Sequence, residues 1–139
     1  MSYREKGSWV YLVVTIGSFA IYCAIILRRA DGQSLANVSY VQPLLWTLGI
    51  SVVASTLLRT VVETARPSES HRFDVRDRDI NRFGEYVGAL VLAVAMAVPF
   101  ILALVRADYF WIANAIYASF VVWAVVSTTA KLVAYRRGL

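Results

Sequence analysis

Tyr86 to Val105 reads YVGALVLAVAMAVPFILALV, 20 residues without an Asp, Glu, Lys, Arg or His. At a rise of about 1.5 Å per residue this run crosses the roughly 30 Å hydrocarbon layer of a bilayer as an α-helix. A soluble domain breaks its apolar runs far sooner. The same reading holds for Trp9 to Leu27, Val41 to Leu58 and Tyr109 to Ala130, none of which contains a charged residue or a histidine. Across the chain 59% of residues are hydrophobic and 17% are charged, against about 25% charged in a typical soluble protein. Lipid offers the backbone no hydrogen-bond partner, so each run must be helical. A barrel strand would alternate in polarity over about 10 residues. The Val, Ile and Thr content is no obstacle, because backbone satisfaction outweighs propensity in lipid. The expectation is an all-α integral membrane protein. Its single domain over 1–139 is a bundle of four transmembrane helices (9–27, 41–58, 86–105 and 109–130), with a loop over 59–85.

The first run reads as a retained span. Its apolar stretch exceeds the usual 7 to 15 residues or so of a signal peptide, and Arg28 and Arg29 follow with no small-residue cleavage site. Tyr22 precedes Cys23 where a lipobox wants a small residue. The lone Cys23 forms no internal disulfide and reads as an apolar packing residue.

The distribution of Lys and Arg predicts orientation. Arg4 and Lys6 lie before the first span. Arg59, Arg66, Arg72, Arg76, Arg78 and Arg82 lie between the second and third, and Lys131, Arg136 and Arg137 follow the fourth. These segments share one side and hold eleven of the fourteen basic residues. The other side has Arg28, Arg29 and Arg106. Both termini and the 59–85 loop are therefore expected in the cytoplasm, in the cell membrane. The net charge of +5 is a fringe for anionic headgroups and not a nucleic-acid surface. Tyr3, Trp9, Tyr11, Tyr40, Tyr86, Tyr109, Trp111 and Tyr135 cluster near the span ends, as interfacial aromatics do.

Asp31-Gly32 marks a turn in the outer loop. Arg106-Ala107-Asp108 is short enough to force the third and fourth spans into an antiparallel hairpin. Pro43 falls in the first turn of the second span, where its missing N–H costs little. Pro99 falls inside the third. It removes the bond to the Ala95 carbonyl and predicts a kink there.

Ser68 to Tyr86 reads SESHRFDVRDRDINRFGEY. Pro67 and the serines suggest a turn and an N-cap. Phe73, Ile80, Phe83 and Val87 recur at helical spacing, with Asp77 beside them. Asp74–Arg78 and Asp79–Arg82 are spaced for ion pairs along a helix. The segment is expected to be a short amphipathic cytoplasmic helix before the third span. Arg59 and Glu63 carry the second helix past the lipid, and Arg59 is the expected partner of Asp77 across the two helices. Arg59, Glu63, Asp74, Asp77, Arg78, Ile80 and Arg82 form the candidate interaction or structural cluster. Gly84-x-x-x-Gly88 and Ala89-x-x-x-Ala93-x-x-x-Ala97 form a candidate helix-packing ridge, whose partner lies in the chain or in another copy.

No chemistry rises from these residues. Asp74, Asp77 and Asp79 do not share one helical face, and arginines sit among them, so a salt-bridged surface is expected over a metal site. His71 is the only histidine, which argues against haem ligation in the bilayer. Ser127, Thr128 and Thr129 have no base nearby, and such hydroxyls commonly bond to helix carbonyls. No catalytic residue, cofactor or metal is expected, and no enzyme. The spans also lack the carboxylate that marks most coupled transporters.

Tyr3-Arg4-Glu5-Lys6-x-x-Trp9 and Asp74-x-Arg76-Asp77-x-Asp79-Ile80-x-x-x-Gly84 together resemble a group of small uncharacterised prokaryotic four-span membrane proteins. These carry a D-E-R-D-x-x-I-x-x-x-G-like motif before the third span. Val75 stands where the group has an acidic residue, which weakens a metal reading of the motif. Members are often encoded beside small helix-turn-helix regulators, so the resemblance implies a sensing or sequestering role. The function expected is that of a non-enzymatic interaction, sensing or regulatory protein working through its cytoplasmic loop. Its partners are the bilayer, a second copy of the chain and a cytoplasmic regulatory protein. The alternative is a small oligomeric channel or transporter lined by hydroxyl stripes, Thr15, Ser18 and Tyr22 on one helix and Ser51 and Ser55 on another. A lipid-acting membrane enzyme stands behind both.

Overall fold

The computed structural model describes residues 3–65 and 75–137. It is all-α, with α1 over Tyr3–Ala30, α2 over Val41–Ala65, α3 over Val75–Ala95, α4 over Ala97–Leu104 and α5 over Tyr109–Arg137. One short 3-10 turn, Leu35–Asn37, lies between α1 and α2. Four segments are long and apolar enough to cross a membrane: Gly7–Ala30, Val41–Leu58, Asp77–Leu104 and Tyr109–Arg137. The chain is a multi-pass, four-helix transmembrane bundle. The amphipathic stretch expected ahead of the third span is helical from Val75 and continues into that span without a break. The Ser68 cap, His71 and Phe73 lie outside the described residues.

The third span consists of α3 and α4, and the sequence shows why it divides. Pro99 has no N–H to give the Ala95 carbonyl. The regular helix ends at Ala95 and resumes at Ala97. The Ser119 hydroxyl of α5 donates its one proton to the Ala115 carbonyl at 2.7 Å and lies 3.3 Å from the freed Ala95 carbonyl, so Ala95 receives at most the weaker arm of a shared bond. Pro43 sits in the first turn of α2, and Thr47 turns its hydroxyl back to the Pro43 carbonyl at 2.9 Å.

The α4–α5 hairpin closes on a Schellman pattern. Ala107 N–H donates to the Leu102 carbonyl at 2.9 Å and Arg106 N–H to the Ala103 carbonyl at 3.1 Å. Arg106 takes a left-handed conformation, φ 56°, at the position where glycine is usual. At the other loop on this side, Arg29 donates to the Ser39 carbonyl at 3.1 Å, tying the end of α1 to the entry of α2.

The helices pack in the order α2, α1, α5, α3, with α3–α5 the most extensive seam. Among the described residues α2 and α3, though consecutive helices, are not packed on each other. The bundle therefore has three closed seams and one open one. Its best-filled core lies between α1 and α5, where Tyr22, Ile26, Ala30, Phe110 and Tyr117 are buried with Val38. Aromatic rings meet edge to face there, Phe19 on Tyr117 at 5.4 Å and Tyr40 on Phe110 at 5.2 Å. Such pairs stabilise by about 0.5–1.5 kcal/mol beyond their burial.

Candidate functional site

Of the residues singled out by the sequence, Asp77, Arg78, Ile80, Arg82 and Gly84 lie at one end of the molecule, where α1 and α3 begin and α5 ends. Two features of α3 bring it there. Gly84 and Gly88 are buried, and a Cβ on either would strike α5. At Gly88 it would fall 2.7 Å from Ser127 Cβ and 2.9 Å from the Trp123 ring. At Gly84 it would fall 2.9 Å from the Ser127 carbonyl oxygen and collide with the Lys131 stem. The missing side chains are what let the two backbones approach. Ala89, Ala93 and Ala97 are exposed on another face, so the small-residue ridge divides, its glycines against α5 and its alanines outward.

Ile80, 2% exposed, continues the buried face. Asp77, Ile80, Gly84 and Gly88 fall within an arc of about 80° on a helix turning 100° per residue. Phe83 was expected on the apolar face with Ile80. It is 50% exposed, because it lies about 60° from Ile80 on the side away from the glycines. Close approach at the glycines sets the face, and Phe83 is left at its edge. Val87 is half-buried.

Polar contacts then fasten the seam. The Tyr135 hydroxyl donates to Asp77 Oδ1 at 3.1 Å. Lys131 Nζ meets Glu85 Oε1 at 2.5 Å, the side chains 17% and 48% exposed. A pair this open contributes about 0–1 kcal/mol. On the α1 side, the Arg136 guanidinium lies over the Trp9 ring, 5.9 Å from its centroid. Arg78, Asp79, Asn81 and Arg82 are exposed on the rest of α3.

Asp77 was expected to dock α3 on α2 through Arg59, a pairing that lies outside the described residues; within them Asp77 accepts a hydrogen bond from Tyr135 of α5. The side chains of Arg59 and Glu63, and all of Asp74 with its expected pairing to Arg78, lie outside the described residues.

A second polar contact lies deeper, and the sequence reading passed over it. Tyr22, 2% exposed, donates its hydroxyl to Asn114 Oδ1 at 2.6 Å. Asn114 Nδ2 donates to the Phe110 carbonyl at 2.8 Å. The signal was available: Asn114 is the one carboxamide in its span, and in lipid such a group seeks a partner on a neighbouring helix. Tyr22 is thereby turned into the α1–α5 seam. Thr47, Thr56 and Thr60 instead donate to carbonyls of their own helix, and Ser55 Oγ is buried without a hydrogen-bond partner among the described residues.

No three His, Cys, Asp or Glu side chains come together among the described residues in a way that could hold a metal ion. A shallow groove of about 340 Å³ runs along α3, lined by Leu90, Val91, Val94 and Ala95. Its apolar walls can receive an acyl chain or a helix face but offer nothing for chemistry. No protein-family model, curated protein or solved structure matches the chain.

Proposed function

We propose that this is a non-enzymatic protein of the cell membrane, with both termini in the cytoplasm, that works by presenting the 59–85 segment to a cytoplasmic regulatory partner. The observation that carries the reading is the two-sided character of α3. One side is fixed to α5 by Ile80, Gly84, Gly88 and the Asp77–Tyr135 contact. The other leaves Arg78, Asp79, Asn81 and Arg82 exposed. Exposed charged groups on a rigid, pre-positioned helix suit recognition, since little ordering remains to be done on binding. Orientation rests on the positive-inside distribution of basic residues. Of the hydroxyl stripes that a conducting role needs, Tyr22 is committed to Asn114, whereas Ser55 Oγ is buried without a hydrogen-bond partner among the described residues.

A photo-crosslinking residue placed at Asn81 in native membranes tests the reading. It should capture one defined protein, and Arg82→Glu should abolish the capture, while the same probe at Gln33 captures nothing. Capture that Arg82→Glu leaves unchanged, or none at all, would refute it. Orientation is tested separately in a Cys23→Ser background. A cysteine at Leu35 should label from outside in intact cells, and one at Ser70 only after permeabilisation.

A further inference from the structure

The exposed groups at the termini-bearing end extend beyond the charged face of α3, to α5 and to large rings. The Asp77–Tyr135 and Glu85–Lys131 contacts set the first three turns of α3 level with the last two of α5. Among the described residues four arginines stand exposed at that level: Arg78 and Arg82 on α3, Arg136 and Arg137 on α5. The described carboxylates among them are Asp77, Asp79 and Glu85, the last paired with Lys131. Beside the arginines lie large rings in the open, Trp9 at 37%, Phe83 at 50% and Tyr86 at 65% exposure. Each ring sits at or within a turn of the boundary where the charge-free span begins. Arg136 is held over Trp9, which places a guanidinium at the height of an interfacial ring. Guanidinium groups in a polar layer, with aromatic bodies reaching into the apolar one, match the two layers of a phospholipid surface. A soluble acidic partner would account for the arginines but not for exposed Phe83 and Tyr86 at the lip of a span.

We infer that this rim is a binding surface for anionic phospholipid headgroups, with the guanidinium groups of Arg78, Arg82, Arg136 and Arg137 meeting the phosphodiesters and Trp9, Phe83 and Tyr86 seated among the acyl chains beneath. The inference goes beyond the interaction reading; the two share Arg78 and Arg82, and Arg136 and Arg137 on α5 belong to the lipid rim alone. Bound lipid would fix the height of α3 relative to the bilayer. Guanidinium groups pair with phosphate through two parallel hydrogen bonds, so several can share neighbouring headgroups.

Native mass spectrometry of the full chain, released from mild detergent, tests it with phosphatidylglycerol and phosphatidylcholine of identical acyl chains. Phosphatidylglycerol should bind at least ten-fold tighter. An arginine near an anionic surface contributes about 1 kcal/mol, a factor of about five. Arg78→Gln/Arg82→Gln should therefore weaken phosphatidylglycerol binding by roughly 25-fold, and Arg136→Gln/Arg137→Gln by a similar factor. Arg28→Gln/Arg106→Gln, which removes the same charge from the opposite rim, should change it less than two-fold. A thermal melt of each variant without lipid checks that it folds, and the exposed α3 pair keeps the test open if the α5 pair does not. Equal binding of the two lipids would overturn the inference, as would an equal loss in the opposite-rim variant. Competition by millimolar inorganic phosphate would mark a free-anion site instead. Tighter binding of a polyglutamate peptide than of phosphatidylglycerol would mark a protein site. Either would overturn it.

Discussion

Replacing Gly88 with Ala asks the α3–α5 seam to accept one methyl group. The new Cβ would lie 2.7 Å from Ser127 Cβ and 2.9 Å from both Trp123 Cδ1 and Nε1. Carbon atoms rest at about 3.5–4.0 Å, so the helices must part by most of an ångström or Trp123 must leave its place. Overpacking of this kind costs about 1–3 kcal/mol. Alanine recovers up to about 1 kcal/mol of helix propensity, so a net loss of about 1–2 kcal/mol is expected. The assay is reversible unfolding in mixed micelles, followed by Trp fluorescence and far-UV circular dichroism. Gly49→Ala serves as the control, because a Cβ at Gly49 meets nothing within 4 Å. It should be neutral or stabilising by up to about 1 kcal/mol. Adding Ser127→Gly, which deletes the nearest clashing atom, should restore part of the loss in the Gly88→Ala background. If Gly88→Ala behaves like Gly49→Ala, close approach at Gly88 does not hold α3 against α5, and the reasoning fails.

Tyr22→Phe and Asn114→Leu remove the two ends of one interhelical hydrogen bond. Their double-mutant cycle should show a coupling of about 0.6–1.7 kcal/mol, and additive losses would mean the bond does not join α1 to α5. Arg106→Gly relieves a left-handed non-glycine residue at a helix end. It should stabilise the protein by up to about 1 kcal/mol in the same unfolding assay, and a loss would mean the Arg106 side chain has a role that its backbone conceals. Glu85→Gln or Lys131→Gln should each cost less than about 1 kcal/mol, shrinking further at 0.5 M salt. A larger, salt-insensitive loss would show the pair to be more buried than its exposure indicates.

The charge-free runs made the helices legible, because a bilayer leaves a polypeptide little choice once 18 or more apolar residues follow one another. Pro99 was equally readable. Its missing N–H named the Ala95 carbonyl as the orphan, and the helix breaks beside that residue. Which side chain comes nearest the freed carbonyl was not readable, since nothing in the α5 sequence distinguishes Ser119 from the other hydroxyls. Phe83 shows a second limit. Amphipathic spacing locates a buried face when the other face is polar, but at the mouth of a span the surroundings are themselves partly apolar. A ring can then stay exposed without penalty, and the contact is set instead by the positions with least bulk, Gly84 and Gly88. That α3 packs on α5, where Tyr135 meets Asp77, was not readable for a related reason. Hydropathy says where each helix lies along the membrane normal but not which helices stand side by side. Consecutive order suggested α2, and the structure supplies α5.

The packing order has a consequence for assembly. α1 with α2, and α3 and α4 with α5, are two hairpins, joined among the described residues by the α1–α5 seam and by the α1–α2 connection packed on α5. No pair of packed helices relies on the covalent link between α2 and α3. The molecule is thus a docked pair of preformed halves, each able to enter the bilayer before it meets the other. Recognition between the halves falls to the Tyr22–Asn114 hydrogen bond and the rings around it, which act as a clasp.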